Sequence, residues 1–196
     1  VPAACQMVQA FQNILTRNKH PLDTGVISVT KIHAGEAVNV VPDDCVVEGT
    51  VRTFTNEVLE LIERRMKTIA EATCAAFEAQ CEFEFRRQYP ATVNHVAETD
   101  FARRVLGEVV GAKNVLDFRP TMGAEDFSYF LQAIPGCYFL IGNGDGEHRE
   151  GGHGLGPCML HNPSYDFNDD LIPLGGSAWV RIAEAWLAGP LRGASR

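Results

Sequence analysis

Apolar residues recur along the chain at two spacings, and each change of spacing marks a new element. Residues 2–17 place Ala4, Met7, Val8, Phe11, Ile14 and Leu15 on one helical stripe, with Pro2 suited to a first turn. His20-Pro21 and Gly25 break it. Residues 26–33 (VISVTKIH) are rich in β-branched side chains and predict a strand. Ala34-Gly35-Glu36 turns the chain toward a second strand, from about Cys45 to Phe54. Thr55 or Asn56 can cap the next helix, in which Val58, Leu61, Ile62, Met66, Ile69, Thr73, Ala76 and Phe77 repeat at three-to-four spacing. Cys81, Phe83 and Phe85 then alternate with Glu82, Glu84 and Arg86, the pattern of a strand with one wet face.

The order α-β-β-α-β is that of a β-α-β-β-α-β, ferredoxin-like sandwich without its first strand. That strand lies centrally in such a sheet, and its absence leaves two rows of backbone groups unpaired. The expectation is that a strand precedes Val1 in the natural protein or that another segment fills the gap.

After Tyr89-Pro90 the character changes. Residues 98–110 predict an amphipathic helix closed by Gly111, residues 115–118 a short strand, and Thr121-Met122-Gly123 the opening of a helix over 125–133. The apolar run 137–142 (CYFLIG) predicts a strand buried on both faces. Residues 142–158 hold seven glycines and predict a long loop. Asn168 or Asp169 can cap a last helix carrying Leu174, Trp179, Ile182, Ala183 and Trp186. The expected fold class is α+β followed by α/β, with a domain boundary near residue 91 that separates 1–91 from 92–196.

Composition narrows the functional classes. The 196 residues are 45% hydrophobic and 21% charged, as in a globular protein. A formal net charge of -8 argues against a nucleic-acid partner, which needs a basic footprint. No apolar run approaches a membrane span, and residues 1–20 lack the basic-then-apolar order of a secretory signal. None of the six cysteines (Cys5, Cys45, Cys74, Cys81, Cys137, Cys158) forms a CxxC pair; they read as reduced thiols of a cytoplasmic protein.

Several residues can carry chemistry. His148, His153, Cys158 and His161 could form a small metal cluster, although their spacing matches no structural zinc motif, and histidines in glycine-rich loops also serve as solvated polar residues. His161 differs from the rest by lying at the edge of the ordered block Met159-Leu160-His161-Asn162-Pro163. Arg52, in the second strand, is either a sheet-surface cation pairing with a neighbour such as Glu48 or a carboxylate clamp. Asn39 can satisfy turn backbone or donate its amide to a substrate carbonyl. Gly123 to Asp126 place two carboxylates where they favour a helix dipole, or they line a substrate site that Gly123 opens to close backbone approach. His33 and His95 read as ordinary surface residues.

The blocks VISVTKIHAGEAVNVVPD, GTVRTF, TMGAEDFSYF and CMLHNPSYDFND occur in that order over nearly the whole chain. Together they make it resemble the C-terminal half of the metal-dependent N-acyl-amino-acid amidohydrolases of the hippurate hydrolase and indole-acetyl-amino-acid hydrolase type, relatives of aminoacylase and the carboxypeptidase G group. The resemblance implies most of a lid, usually dimerising, in residues 1–91 and the C-terminal segment of an α/β catalytic domain in 92–196. It matches His161 to the last ligand of a two-metal centre (zinc or manganese, with nickel or cobalt also suited). It matches Asn39 and Arg52 to lid residues that engage substrate, typically in the partner subunit's site, and Gly123 to Glu125 to a stretch lining the substrate pocket.

The family's Cys-x-His pair, its other ligands, its general-base glutamate and its Gly-His-Ala-Ala type lid segment do not occur in these 196 residues. Cys158 and His153 match no ligand position. The resemblance implies that in the intact enzyme two divalent ions would activate a water and polarise the amide carbonyl, and that the glutamate would shuttle the proton. The expectation is a homodimeric hydrolase of N-acyl amino acids whose activity this polypeptide alone lacks. Two alternatives stand beside it: a non-enzymatic dimerisation or interaction module, and a small metal-binding protein built on the glycine-rich loop.

Overall fold

Pro2 opens helix α1 (Pro2–Asn13), which buries Ala4 and Phe11 and widens into a π-helical turn over Ile14–Asn18. Lys19 is extended and ends it, just before Pro21. This computed structural model describes residues 1–144 and 160–189. The chain divides into two compact units, Val1–Thr92 with Pro120–Tyr129, and Val93–Arg119 with Phe130–Arg196.

In the first unit, β1 (Gly25–His33) pairs antiparallel with β2 (Val46–Thr53), setting Val26 opposite Arg52 and Ile27 opposite Val51. The register shifts between Val29 and Lys31, where Thr30 is the extra residue of a bulge. The backbones close up there: a Cβ at Gly49 would collide with the Ser28 carbonyl oxygen, so glycine is required. Helix α2 (Asn56–Ala76) starts at Thr55, whose hydroxyl accepts from the Val58 amide at 3.4 Å.

One face of α2 then meets α1 and the hairpin around Phe11, Ile14, Ile27, Val58, Ile62 and Ala70. Ile14 and Ile62 are fully buried. Burial of such a side chain contributes roughly 1.5–3 kcal/mol relative to exposure.

At the end of α2 the Ala79 amide donates back to the Cys74 carbonyl at 2.9 Å, and Glu78 adopts a left-handed conformation (φ 55°), so the chain reverses. Residues 81–86 then alternate between half-buried and exposed, and Cys81 and Phe83 pack on the core. The expected strand is therefore present in its side-chain alternation but not in its pairing: β1–β2 is the sole ladder among the described residues. Alternation records which side chains meet the core, whereas a strand also needs a neighbour's backbone.

In the second unit, α3 (Val96–Val110) ends at Gly111 (φ 84°) and a 3-10 turn, Ala112–Asn114. It packs against α5 (Leu171–Leu187) through an edge-on Phe101–Trp186 contact of 5.3 Å, and Arg181 reaches Glu108 at 3.1 Å. Helix α4 spans Phe127–Ala133, starting two residues later than its sequence suggests. The strands expected at 115–118 and 137–142 form no ladder among the described residues. Nor is 137–142 buried on both faces: Leu140 is 60% and Ile141 42% exposed. The Asn94 side chain instead takes both backbone groups of Tyr138, each at 2.8 Å. The chain is thus a mixed helix-and-strand protein with a two-stranded sheet. No helix among the described residues is long and apolar enough to cross a membrane.

Candidate functional site

Arg52 is half-buried on β2, and its Nη1 donates to the Met122 carbonyl at 2.9 Å. Glu48, the alternative partner, is engaged by Lys31 at 3.0 Å. No carboxylate among the described residues pairs with Arg52, so its Nε–Nη2 edge keeps a fork suited to a planar anion. The fold therefore joins two blocks that are 70 residues apart in sequence.

Residues 120–129 lie in the first unit as an arm anchored at both ends. Beyond the Arg52 bond, the Tyr129 hydroxyl donates to the Gln88 carbonyl, and the Tyr129 ring lies 5.9 Å from that of Tyr89. The Ser128 side chain is fully buried and donates to the Glu125 carbonyl at 2.7 Å. Gly123 is exposed, and a Cβ there would meet only the Thr121 hydroxyl, at 3.6 Å, so the surface beside the arm is open.

Glu125 is half-buried and accepts from the Phe127 amide at 3.4 Å. Its carboxyl hydrogen-bonds to that of Asp126 and, with desolvation and like charge, raises the Asp126 carboxyl above the ordinary carboxylate range. Helix α4 has only seven residues, and its start is occupied by these carboxylates.

Asn39 occupies an exposed turn between β1 and β2, bracketed by Val38, Val40 and Val41, which are 108%, 62% and 91% exposed. Its side-chain amide has no partner among the described residues. The β1–β2 register puts Arg52 opposite Val26, at the end of the hairpin away from the turn. Six residues separate Arg52 from Val46 at the base of that turn, about 20 Å of strand.

In the second unit, His161 is exposed in a turn over 160–164 and carries φ 69°. A left-handed conformation is uncommon for a non-glycine residue and concentrates at functional positions. The turn is shaped by the Asn162 side chain accepting from the Ser164 amide at 2.8 Å. Asn143 pins residues 166–168, donating to the Asp166 carbonyl at 3.0 Å and accepting from the Asn168 amide at 3.1 Å.

The His161 ring has no partner among the described residues, and no group of three His, Cys, Asp or Glu converges among them. Among the described residues His161 is a single candidate nitrogen ligand, too few alone for a two-metal centre. His148, His153 and Cys158 lie outside the described residues.

His33 lies 3.9 Å from Glu36 on the surface. His95 is not an ordinary surface residue: it is half-buried before α3, and its Nδ1 accepts from the Gly136 amide at 3.1 Å. Sequence reasoning missed the Met122 carbonyl and Asn143, both engaged by side-chain to backbone hydrogen bonds, which leave no periodic trace.

The sequence profile of peptidase family M20/M25/M40 matches residues 6–185. The chain belongs to this family of hydrolases, whose members act on amide bonds. It is 31% identical over 189 residues to IAA-amino acid hydrolase ILR1-like 4 of Arabidopsis thaliana, covering 94% of this chain and 42% of that protein. It is 30% identical over 186 residues to the hippurate hydrolase of Campylobacter jejuni, covering 94% and 46%. The chain thus spans less than half the length of these relatives. Its fold matches the Bacillus subtilis YXEP protein, described as a dinuclear metal-binding peptidase of the M20 family. That match has a TM-score of 0.72 at 24% identity and covers 97% of this chain and 46% of the other.

Proposed function

We propose that this chain supplies the substrate clamp and one metal ligand of a metal-dependent amidohydrolase that cleaves N-acyl amino acids, hippurate among them, into a carboxylic acid and an amino acid. The observation that carries the reading is Arg52: one nitrogen is fixed on the Met122 carbonyl and the remaining edge of the guanidinium faces no carboxylate of the described chain. A cation held in one orientation loses little further freedom on taking the amino-acid carboxylate, and a forked pair adds direction to attraction. Gly123 and Glu125 line the adjoining surface.

Residues 1–91 act as the lid and 92–196 as part of the catalytic domain. The protein is a homodimer in which the exposed Asn39 amide donates to the substrate carbonyl in the partner's site. His161 serves as a ligand to a divalent ion, zinc or manganese by its nitrogen donor, with the other donors outside the described set. The protein works in the cytoplasm, without a nucleic-acid or membrane partner. Hydrolase relatives support this enzyme over a stand-alone interaction module.

The test is equilibrium binding of hippurate and of its uncharged amide to the 196-residue chain. Hippurate should bind more tightly, and Arg52→Ala should erase the preference while Arg52→Lys retains part of it. Equal binding of acid and amide by the unmodified chain would sink the clamp. Hydrolysis of hippurate by the chain alone would sink the single-ligand assignment, because one imidazole is too little for a two-metal site.

A further inference from the structure

Two thiols meet where α2 reverses, and neither takes part in the chemistry above. Cys74 lies in the last turn of α2, 8% exposed, and its carbonyl receives the amides of both Phe77 and Ala79. With Glu78 in the left-handed conformation, this reversal lays the half-buried Cys81 back against α2, on the core beside Phe83. The Cys74 thiol lies beside that of Cys81.

From there the segment runs antiparallel along the helix to Arg87, whose Nη2 reaches Glu63 at 2.6 Å. Six extended residues cover about 20 Å and the eleven helical residues from Glu63 to Cys74 about 16 Å, so the two runs match in length. Charge fastens the far end of the segment, and no backbone ladder among the described residues fastens its middle.

We propose that Cys74 and Cys81 are a reversible dithiol–disulfide site whose closure fastens residues 81–87 to the C-terminal end of α2. The co-reactant is a low-molecular-weight disulfide. The more accessible Cys81, as thiolate, attacks one of its sulfurs, forming a mixed disulfide and releasing one small thiolate. Cys74, as thiolate, then attacks the Cys81 sulfur, closing the protein disulfide and releasing the second. Two cysteine thiols are oxidised, one small disulfide is reduced to two thiols, and the two protons pass to the released thiolates. Burial first, then the Cys74 thiol and the Glu71 charge, push the Cys81 thiol up. Less thiolate at neutral pH makes closure slow, and poor leaving thiols make the closed bond hard to reduce. The site is independent of the hydrolase reading.

The experiment treats the 196-residue chain with oxidised glutathione, quenches with an alkylating agent and digests with trypsin. Residues 68–86, bounded by Lys67 and Arg86, hold both cysteines in one peptide. That peptide should appear lighter by two hydrogens and unalkylated, and dithiothreitol should restore it. Native trypsin cleavage after Arg86 and Arg87 should slow severalfold on oxidation. Cys81→Ser and Cys81→Ala should abolish the slowing, whereas Cys5→Ser and Cys45→Ser should leave it unchanged. A doubly alkylated 68–86 peptide after oxidation, or glutathione retained on Cys81, would overturn the proposal whatever the variants do.

Discussion

Both units carry helices with strong apolar stripes, yet they use them differently. In the first, Phe11, Ile14, Ile27, Val58, Ile62 and Ala70 close on one another, all at 6% exposure or less. In the second, Ala102, Val105 and Ala178 are buried, but Ile172, Trp179, Val180 and Trp186 of α5 stand 70%, 63%, 56% and 49% exposed. The same kind of pattern has therefore produced a closed core in one place and an uncovered apolar face in the other. The candidate residues inherit this difference. Arg52 stands on an assembled scaffold, whereas His161 hangs on a turn shaped by side-chain to backbone hydrogen bonds.

The largest effect that separates the units is a core truncation. Ile62→Ala should lower the stability of the first unit by about 3–4 kcal/mol. Trp179→Ala should change urea unfolding by less than about 1 kcal/mol, because most of that ring is already wet. Equal shifts in the urea midpoint would erase the contrast. Arg52→Ala should cost about 1–2 kcal/mol by removing a charged donor from the Met122 carbonyl. Hydrogen exchange should then rise across 120–129; unchanged protection there would show that the arm is held without Arg52.

A smaller effect, of opposite sign, is due at His161. Replacement by glycine relieves the positive φ and should raise stability by roughly 0.5–1 kcal/mol, while any zinc-induced rise in Tm is lost. A fall in stability would mean the imidazole makes a contact that matters.

The smallest effect is a titration. Asp126 resists ionisation in the folded state, so its contribution to stability is whole at pH below the ordinary carboxylate range and is lost as pH rises through the raised value. Glu125→Gln should bring the Asp126 carboxyl back toward its ordinary range in a carbon-detected NMR titration. An unmoved titration curve would assign the shift to something other than Glu125.

Much of this was legible before any coordinate. The α1 stripe, both hairpin strands, the Thr55 cap and the Gly111 stop come from spacing and local hydrogen bonding, and the structure places each within a few residues of its reading. Spacing could not show who pairs with whom. Residues 81–86 keep strand alternation without a ladder, and 137–142 keep a strand's composition without its burial, because both need partners that a single segment does not specify. At the candidate site the residue types were readable from Arg52, Asn39 and His161. The Arg52–Met122 bond was not, since it depends on where the 120–129 segment comes to lie against β2, 70 residues away in sequence.

The bulge at Thr30 acts as a phase shifter. Up to that point odd-numbered residues of β1, Ile27 and Val29, pair with Val51 and Gly49 on one face of the hairpin; beyond it the even-numbered Ile32 pairs with Val47 on that same face. One inserted residue has exchanged the parity of the strand just before it enters the turn that carries Asn39. Deleting Thr30 would restore strict alternation and leave Lys31 opposite Glu48 and Ile32 opposite Val47, removing only the local kink and extra twist of the bulge. A single unpaired threonine thus keeps Ile27, Val29 and Ile32 on one face of the hairpin up to the turn that carries Asn39.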